Sequence, residues 1–448
     1  MIKQMWKYTL LVVFCALFFS CAQEDPSSLD PSEVFIKYFG STGNEHLIDM
    51  VQTSSSEFII LGQTNNTESG DVDFYIVKTD SAGNGIWQQK YGYDHGNANR
   101  AFSEDIPSSI RLINNDQSFL AIGTSNISDT LSIFMLNIDV ASGAVNEQLI
   151  YQYEDNRPAT SLEDRGFVST SGADVLWNEM DDEFIILGST ETWSDATYLN
   201  DPSSIFLMSI PNTGDMQTAS ENPSWIDISG LRLEDRGVKL LEDEGRYFSL
   251  STSTIPLGSP LGYGLRDVFI QEFNSQSGVV LNSEFYGTTD QDEATNFVAA
   301  NGTLLLTGAS GTEQAKQTFF ARINQTLPKR PTDELKIDVV SEMGIDANGS
   351  RGMDLVRLPS GAIYVAGQLD SYTTSSGEFK ENEIVVFRMD AFGTLDTENF
   401  RIMGSEDNDQ ANAILLRPDG ALVIGATVDF GSTTMMSLFK TNFRGEFK

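Results

Sequence analysis

A short apolar strand that ends at a glycine, or once at a serine, recurs seven times along this chain. The spacings from the end of one copy to the end of the next are 61, 65, 63, 57, 59 and 58 residues. One strand motif at a nearly constant period of this size indicates a repeat architecture. The copies occupy residues 58–62, 119–123, 184–188, 247–251, 304–308, 363–367 and 421–425.

Each period contains more than this one strand. In the first period, apolar segments at 47–51, 58–61, 74–78 and 86–91 are separated by stretches rich in Ser, Asn and Gly. Short apolar segments bounded by turn residues are typical of β-strands. The sequence therefore predicts an all-β chain whose repeating unit has four strands.

Seven four-stranded units predict a seven-bladed β-propeller, a ring of small sheets that leaves only short edges. A β-helix is the main alternative, but its coils are much shorter than one period of this chain. The last unit, 403–448, contains three evident strands, whereas the apolar segment 33–39 belongs to no unit. We therefore predict that 33–39 is the closing strand of the last blade, and that 33–448 form a single domain.

The composition of the chain is strongly acidic, with 64 Asp and Glu against 28 Lys and Arg and a formal net charge of −36. Such a charge argues against nucleic acid or an anionic lipid surface as partners, because both are bound by clustered Lys and Arg. The hydrophobic fraction of 40% is enough for a large core. The acidity is therefore no sign of disorder.

The N-terminus has the pattern of an export signal. Lys3 and Lys7 precede the apolar stretch 10–19. This stretch is too short to span a bilayer as a helix. Because Cys21 follows a small residue at the end of this stretch, the segment resembles a bacterial lipoprotein signal. That resemblance implies cleavage before Cys21 and its lipidation, palmitate included. The alternative is ordinary cleavage after Ala22.

We therefore predict a signal peptide at 1–20 and a lipidated, flexible tether at 21–32. Several lipid chains on Cys21 would anchor the protein in the outer membrane far more firmly than one. The acidic run 23–25 after the cysteine resembles the surface-export signals of some Gram-negative lipoproteins. The expected location is thus the extracellular face of the outer membrane, with the lipid as the only contact with the bilayer.

The repeat unit also resembles a known family. Residues 286–294 read Tyr-Gly-Thr-Thr and then Asp-Glu-Ala, and 403–411 read Met-Gly-Ser and then Asp-Gln-Ala. Asp73 and Trp87 match the later part of the same unit. In these motifs the chain is similar to bacterial propeller-repeat lipoproteins and secreted adhesin-type propellers, over 34–448. The resemblance implies the propeller fold and a surface location, and it implies no particular activity.

Acidic, turn-rich loops precede the first strand of several units. Their carboxylates suggest calcium, which binds six to eight oxygen ligands at about 2.3–2.6 Å. The spacing matches no standard calcium loop, and Asp also stabilises tight turns by accepting hydrogen bonds from its own backbone. Both interpretations stay open, and no other cofactor is expected. The candidate ligands are Asp290, Asp292, Asp407 and Asp409.

The loops between the second and third strands are the least regular part of the repeat. They are long at 189–204, 252–267 and 368–383, and long loops on a rigid scaffold often carry function. Exposed aromatic side chains there suit a protein interface or stacking on sugars. The alternative is that they pack against their own loops. The candidates are Trp193, Tyr198, Tyr263 and Tyr372.

No catalytic motif is recognisable in the sequence. There is no Gly-x-Ser-x-Gly elbow with a usable histidine, no Cys/His zinc set and no phosphate-binding loop. We therefore predict a non-enzymatic protein-interaction module, an accessory subunit of an outer-membrane barrel complex or transporter, which the lipid anchor would concentrate beside such barrels. The alternative is a glycan-binding protein, or a glycoside hydrolase or lyase acting on extracellular polysaccharide, because 64 acids can supply a catalytic carboxylate pair.

Overall fold

The computed structural model describes the chain from residue 34 to residue 447, with internal gaps. The described ranges are 34–40, 43–65, 71–93, 104–127, 130–155, 166–191, 203–230, 234–254, 265–312, 315–324, 346–347, 349–373, 379–396, 400–405, 407–442 and 444–447. Cys21, the predicted signal peptide and the predicted tether lie outside these ranges.

The strands are numbered in chain order. The first fifteen are β1 (Phe35–Phe39), β2 (Asn44–Gln52), β3 (Phe58–Asn65), β4 (Val72–Thr79), β5 (Gly85–Tyr91), β6 (Asp105–Ile113), β7 (Ser118–Ile127), β8 (Thr130–Asp139), β9 (Val145–Tyr151), β10 (Tyr153–Asp155), β11 (Gly166–Val168), β12 (Thr170–Asn178), β13 (Glu183–Glu191), β14 (Ser203–Pro211) and β15 (Trp225–Ser229).

The remaining strands complete the described part of the chain. They are β16 (Arg236–Asp243), β17 (Arg246–Thr254), β18 (Arg266–Phe273), β19 (Val280–Tyr286), β20 (Gln291–Ala300), β21 (Thr303–Thr312), β22 (Ala315–Asn324), β23 (Asp346–Ala347), β24 (Ser350–Arg357), β25 (Ile363–Leu369), β26 (Tyr372–Thr373), β27 (Phe379–Lys380), β28 (Glu383–Met389), β29 (Arg401–Met403), β30 (Gln410–Leu416), β31 (Leu422–Asp429) and β32 (Thr434–Thr441).

One short helix, α1 (Met216–Ser220), lies in the loop between β14 and β15. The sequence pattern did not predict it. Asp215 caps its N-terminus by accepting the Thr218 N–H at 3.0 Å, which satisfies one of the free amides of the first turn. Within the described ranges, no helix has the length and apolar character needed to cross a membrane.

Most strands belong to antiparallel sheets of four. Five such sheets have the orders β2-β3-β4-β5, β6-β7-β8-β9, β12-β13-β14-β15, β24-β25-β28-β29 and β1-β32-β31-β30. A larger sheet joins β16–β19 to β20–β22 through one parallel pair, Arg266 with Gln291. The prediction of an all-β chain built from four-stranded units is confirmed in the described residues.

The first strand of each unit carries a β-bulge at the same place. In β2, Leu47 pairs with Gly62, and Ile48 is left as an extra residue before the pairing resumes. A bulge of this kind bends its strand and changes the direction of the side chains around it. The strands with this irregularity are β2, β6, β12, β16, β20, β24 and β30.

The bulge explains most of the glycines that mark the repeat. A Cβ on Gly62 would lie 2.7 Å from a backbone oxygen of β2, so no larger residue fits. The last copy departs from the others, because Ala426 rather than Gly425 pairs with the residue before the bulge. Glycines in the position of Gly62 are Gly123, Gly188, Gly308 and Gly367.

The hydrophobic core lies between neighbouring sheets rather than within any one of them. In β3, Ile59 and Leu61 belong to a cluster shared with β6–β9, whereas Phe58 and Ile60 belong to a cluster shared with β30–β32. Successive residues of a strand point to opposite faces. The central residues of most second strands are therefore apolar on both faces, because each sheet has a neighbour on both sides.

The described beginning of the chain pairs with its end. β1 runs antiparallel to β32, with Phe35 opposite Lys440 and Phe39 opposite Met436. Phe39 is buried in the cluster between β30–β32 and β2–β5. This pairing gives the last unit its fourth strand, in the place where residues 33–39 were expected.

We expect Phe39→Ala to lower the free energy of unfolding by about 3 kcal/mol, because it removes a buried aromatic side chain. Ile36 on the same strand is 43% exposed, so Ile36→Ala is the matched control and should cost less than about 1 kcal/mol. Urea denaturation of the two variants and the wild type measures both values. Equal, small losses would contradict the docking of β1 against the core.

Candidate functional site

The extra residues of the seven bulges line a single cavity. Its volume is about 760 Å³, and it lies where the first strands of neighbouring sheets approach one another. Because an extra residue lacks a partner in the ladder, its side chain is free to leave the core between sheets. These residues are Ile48, Ser108, Ala173, Val238, Thr295, Met353 and Asn412.

A polar network links the residues that follow four of these bulges. Lys239 Nζ donates to Asp49 Oδ2 at 2.8 Å and to Ser109 Oγ at 2.9 Å. Ser109 Oγ donates to Asp174 Oδ1 at 2.7 Å. The three bonded pairs are 190, 130 and 65 positions apart in the chain. The four residues share one place in the repeat, directly after the bulge in β2, β6, β12 and β16.

Asp174 forms the most buried ion pair of this network. Arg111 donates to it through Nε at 3.2 Å and through Nη2 at 2.5 Å. Burial alone would raise its pKa, but the positive charges of Arg111 and Lys239 hold the pKa of Asp174 at about 2. The carboxylate is therefore ionised at neutral pH and acts as a structural link between strands.

Backbone amides complete the links between neighbouring first strands. Asp174 Oδ2 accepts the Leu240 N–H at 2.8 Å, and Asp354 Oδ2 accepts the Ile414 N–H at 2.8 Å. Asp49 makes the same kind of bond to the next strand. Burial raises the pKa of Asp354 to about 6 despite these bonds. Each carboxylate thus satisfies a buried amide of the following unit, which is costly to leave unpaired.

Nearer the start of the first strands, the cavity carries a second group of paired charges. Arg266 donates to Glu234 at 3.0 Å and to Glu293 at 2.5 Å, and Lys316 donates to Glu293 at 2.7 Å. Burial raises the pKa of the Glu293 carboxyl, but the hydrogen bonds from Lys316 and Arg266 outweigh burial and lower this pKa overall. Arg236 also lines the cavity, and its side chain is exposed.

The lining of the cavity mixes apolar residues with many hydroxyl groups and several acids. Among the described residues that line it, none is aromatic. Its acids are Asp49, Glu191, Glu234, Glu293 and Asp354. Its hydroxyl groups belong to Ser108, Thr124, Ser169, Ser171, Ser189, Thr190, Ser203, Thr252 and Thr295. Such a lining suits a ligand that offers many hydrogen-bonding groups.

The calcium candidates lie where turns lead into β20 and β30, with Asp292 as the second residue of β20 and Asp409 directly before β30. Asp292 accepts the Thr288 N–H at 2.5 Å, and Asp409 closes the equivalent turn in the same way. Asp290 and Asp407 lie within these turns. No group of three or more His, Cys, Asp or Glu is placed to hold a metal ion in the described part of the chain. The turn role is therefore observed, while calcium binding stays a prediction.

A second carboxyl group faces some of these turns from the preceding sheet. Glu383 and Asp409 both lie against Gly404, where they leave no room for a side chain. Burial, together with the negative charge of Asp409, raises the pKa of Glu383 to about 7. Asp73 and Asp105 are arranged alike, and burial raises the pKa of Asp73 to about 6.

None of the predicted interface aromatics has a described side chain. Trp193, Tyr198 and Tyr263 lie outside the described residues. Tyr372 is described only as a backbone position of β26, which pairs with β23 and β27. Their interface role stays a prediction.

Sequence reasoning missed the polar residues that directly follow the bulges. Asp49, Asp174 and Asp354 each interrupt an apolar strand at the same place in the repeat. An alignment of the seven first strands would have revealed this shared polar position. The bulge has no sequence signature of its own, however, so the alignment would not have shown that the polar side chains meet.

Comparisons with known proteins give a likeness of structure only. No protein-family model and no curated protein matches the chain. YCF48 from Cyanidioschyzon merolae is 11% identical with a TM-score of 0.47, over 90% of this chain and 98% of its own. The Penicillium chrysogenum alpha-L-arabinanase complexed with arabinobiose is 14% identical with a TM-score of 0.44, over 80% and 100%.

The Pyrococcus horikoshii acylaminoacyl peptidase is 11% identical with a TM-score of 0.41. The match covers 89% of this chain and 52% of the peptidase, so the chain spans about half the length of that enzyme. At these identities and TM-scores, none of the likenesses assigns an activity to this chain.

The prediction that the chain is not an enzyme is wrong as a firm exclusion. Most of the similar solved structures are enzymes, among them an arabinanase and peptidases. The prediction relied on the lack of catalytic motifs in the sequence, and such motifs do not transfer between families. Carboxylates that are distant in sequence also meet in the cavity, where no linear motif records them.

We expect the stability of the protein to fall between pH 5 and pH 8. Folding raises the pKa of Glu383 to about 7. The stabilisation that comes from protonating this group is therefore fully present below its pKa in the unfolded chain, and it is lost as the pH rises through the pKa of the folded state. Glu383→Gln should remove roughly 1–3 kcal/mol of this loss. Urea denaturation across this pH range measures the effect.

Glu272→Gln is the matched control for this experiment. Burial raises the pKa of the Glu272 carboxyl, but the hydrogen bond from Arg246 outweighs burial and lowers this pKa overall. The free energy of unfolding of this variant should therefore change with pH between pH 5 and pH 8 as that of the wild type does. A Glu383→Gln variant whose stability also follows the wild-type slope would contradict the protonation of Glu383.

Proposed function

We propose that the central cavity binds a carbohydrate, and that the protein is a glycan-binding protein or a glycoside hydrolase or lyase acting on extracellular polysaccharide. The observation that carries this proposal is the lining of the cavity. Nine hydroxyl-bearing residues and eight charged residues surround one space of about 760 Å³. That volume is within the usual range of small-molecule sites, about 300–1,000 Å³.

The chemistry of the lining suits a sugar. A sugar presents hydroxyl groups that both donate and accept hydrogen bonds, and Ser, Thr, Asp, Glu and Arg side chains offer matching partners. Since no described lining residue is aromatic, the sugar would be held by hydrogen bonds rather than by stacking. Glycoside hydrolysis needs two carboxyl groups on either side of the scissile bond, and five acids line the cavity.

We also propose that the chain is a seven-bladed β-propeller closed by β1. This proposal is supported by the pairing of β1 with β32. It is supported further by the contacts between first strands, which run from β2 through β6, β12, β16, β20, β24 and β30 and return from β30 to β2. Closure of this kind leaves the bulge residues around one axis, where a ligand site is common to all units.

For the location, we propose a bacterial surface lipoprotein with a signal peptide at 1–20 and a lipid on Cys21. The support is the N-terminal sequence alone. A lipid anchor at the extracellular face of the outer membrane would hold the cavity next to polysaccharide outside the cell. Association with an outer-membrane complex or transporter stays a prediction, because no described residue favours a particular protein surface.

Met353→Trp tests the carbohydrate proposal. Met353 is the extra residue of the β24 bulge and lines the cavity, so an indole there fills space that a ligand needs. A polysaccharide array and an assay for released reducing or unsaturated sugars should identify a ligand of the wild type. Met353→Trp should then weaken binding or release at least tenfold, at an unchanged melting temperature.

The matched control is the same substitution at Met180, which is 89% exposed on the turn after β12. Met180→Trp should behave as the wild type. Two results would count against the proposal. One is a wild type that binds and degrades no polysaccharide, and the other is a bound polysaccharide that is insensitive to Met353→Trp.

The lipid anchor has its own test. Expression with labelled palmitate should label the wild type and place it in the outer-membrane fraction. Cys21→Ala should lose the label and the membrane association, because the lipid is the proposed attachment. Cys15→Ala is the control, since Cys15 lies within the proposed signal peptide. Labelled, membrane-bound Cys21→Ala would disprove anchoring through this residue.

A further inference from the structure

Three neighbouring first strands carry charged side chains at equivalent positions, near the beginning of each strand. Arg236, Glu293 and Arg351 each come two residues before the extra residue of their bulge. The corresponding positions of the other first strands carry no Lys, Arg, Asp or Glu, as the sequence shows at His46, Ile106, Ser171 and Gln410. The charges are therefore concentrated on one side of the cavity.

Four cationic side chains gather on this side, and we name Arg236, Arg266, Lys316 and Arg351 the basic arc. Arg236 and Arg266 line the cavity, whereas Lys316 and Arg351 lie beside it, near the lining residue Glu293. Glu293 lies in the middle of the arc, 2.5 Å from Arg266, 2.7 Å from Lys316 and 3.7 Å from Arg351. Glu234 pairs with Arg266 as a second carboxylate. Asp370 is a third, since it lies near enough to Arg351 for that positive charge to act on it. Four cations therefore face three carboxylates in a chain whose net charge is −36.

Two members of the basic arc keep hydrogen-bond donors for a ligand. Arg236 is exposed at the cavity wall. Arg351 is 42% exposed, and its 3.7 Å distance from Glu293 is longer than a hydrogen bond. Arg266 and Lys316 are less exposed and are held by the two glutamates. The glutamates thus fix one part of the arc and leave the two flanking guanidinium groups accessible.

Other acids near this part of the cavity have different surroundings. Asp235 and Asp267 adjoin arc residues in sequence and Asp292 adjoins Glu293. All three are fully buried, because successive side chains of a strand point to opposite faces. Glu191 is the exception, with an exposed side chain in the cavity lining. Its charge opposes the binding of an anion and offers a second way to test the arc.

We propose that the basic arc is a subsite for the anionic group of an acidic sugar unit, a uronate carboxylate or a sulfate ester. This inference rests on the proposed carbohydrate function and gives its substrate class. Guanidinium groups bind carboxylates and sulfates through paired, charge-assisted hydrogen bonds. The partly enclosed cavity screens such pairs less than open water does. The two accessible arginines select a charged sugar over its neutral counterpart.

The test compares an oligogalacturonate with its methyl-esterified form, which has the same sugar ring and no charge. Isothermal titration of the wild type should show at least tenfold tighter binding of the acid, with an affinity that falls as salt is raised. Arg236→Gln combined with Arg351→Gln should weaken binding of the acid at least tenfold. Glu191→Gln should strengthen it. A sulfated neutral oligosaccharide tells a sulfate preference from a carboxylate preference.

Arg357→Gln is the matched control for the Arg351 substitution, because Arg357 lies at the far end of β24 from Arg351. It removes one positive charge, as each of the two arc substitutions does, and should change affinity less than twofold. Equal binding of the acid and the ester overturns the subsite and leaves the carbohydrate function intact. Binding of none of the three oligosaccharides by the wild type overturns the acidic-sugar assignment, whereas the polysaccharide array judges the carbohydrate function independently.

Discussion

The β-bulge in the first strand of each unit is the constraint on which the rest of the molecule depends. It inserts one residue that the second strand does not match, and it brings the backbone of the first strand against a glycine in most copies. The extra side chains leave the core and line the cavity. The residues that follow, such as Asp174 and Lys239, then reach across to neighbouring strands.

Two kinds of contact hold neighbouring units together. Away from the cavity, apolar side chains fill the space between sheets, as Phe58 and Leu61 do on the two faces of β3. Near the cavity, buried carboxylates accept hydrogen bonds from backbone amides of the next unit, as Asp354 does from Ile414. The apolar contacts contribute most of the stability, since the favourable free energy of burying apolar surface is proportional to the buried area. The polar contacts are directional, so they set how one first strand lies against the next.

Much of the fold could be predicted from the sequence because its signals are local. Turn residues and apolar segments marked the strands, and the surplus segment 33–39 matched the missing fourth strand that β1 supplies. The site could not be predicted in the same way. Asp49, Ser109 and Lys239 are far apart in the sequence and meet only after the sheets pack. The exclusion of enzymatic activity was wrong for the same reason: it relied on linear motifs, and residues that meet only in the folded protein leave no such motif.

By itself, the sequence determined the strand content, the period and the acidic charge of this protein, because all three depend on residue type and local spacing. Only the tertiary structure decided which polar residues share a space. It showed that Asp292 and Asp409 accept hydrogen bonds that close turns. It also placed Arg236 and Arg266 in the lining of a cavity, with Lys316 and Arg351 beside them near Glu293. The physical reason is the bulge. It exists only in the pairing of two strands, so the direction that it gives to a side chain cannot be read from one strand alone.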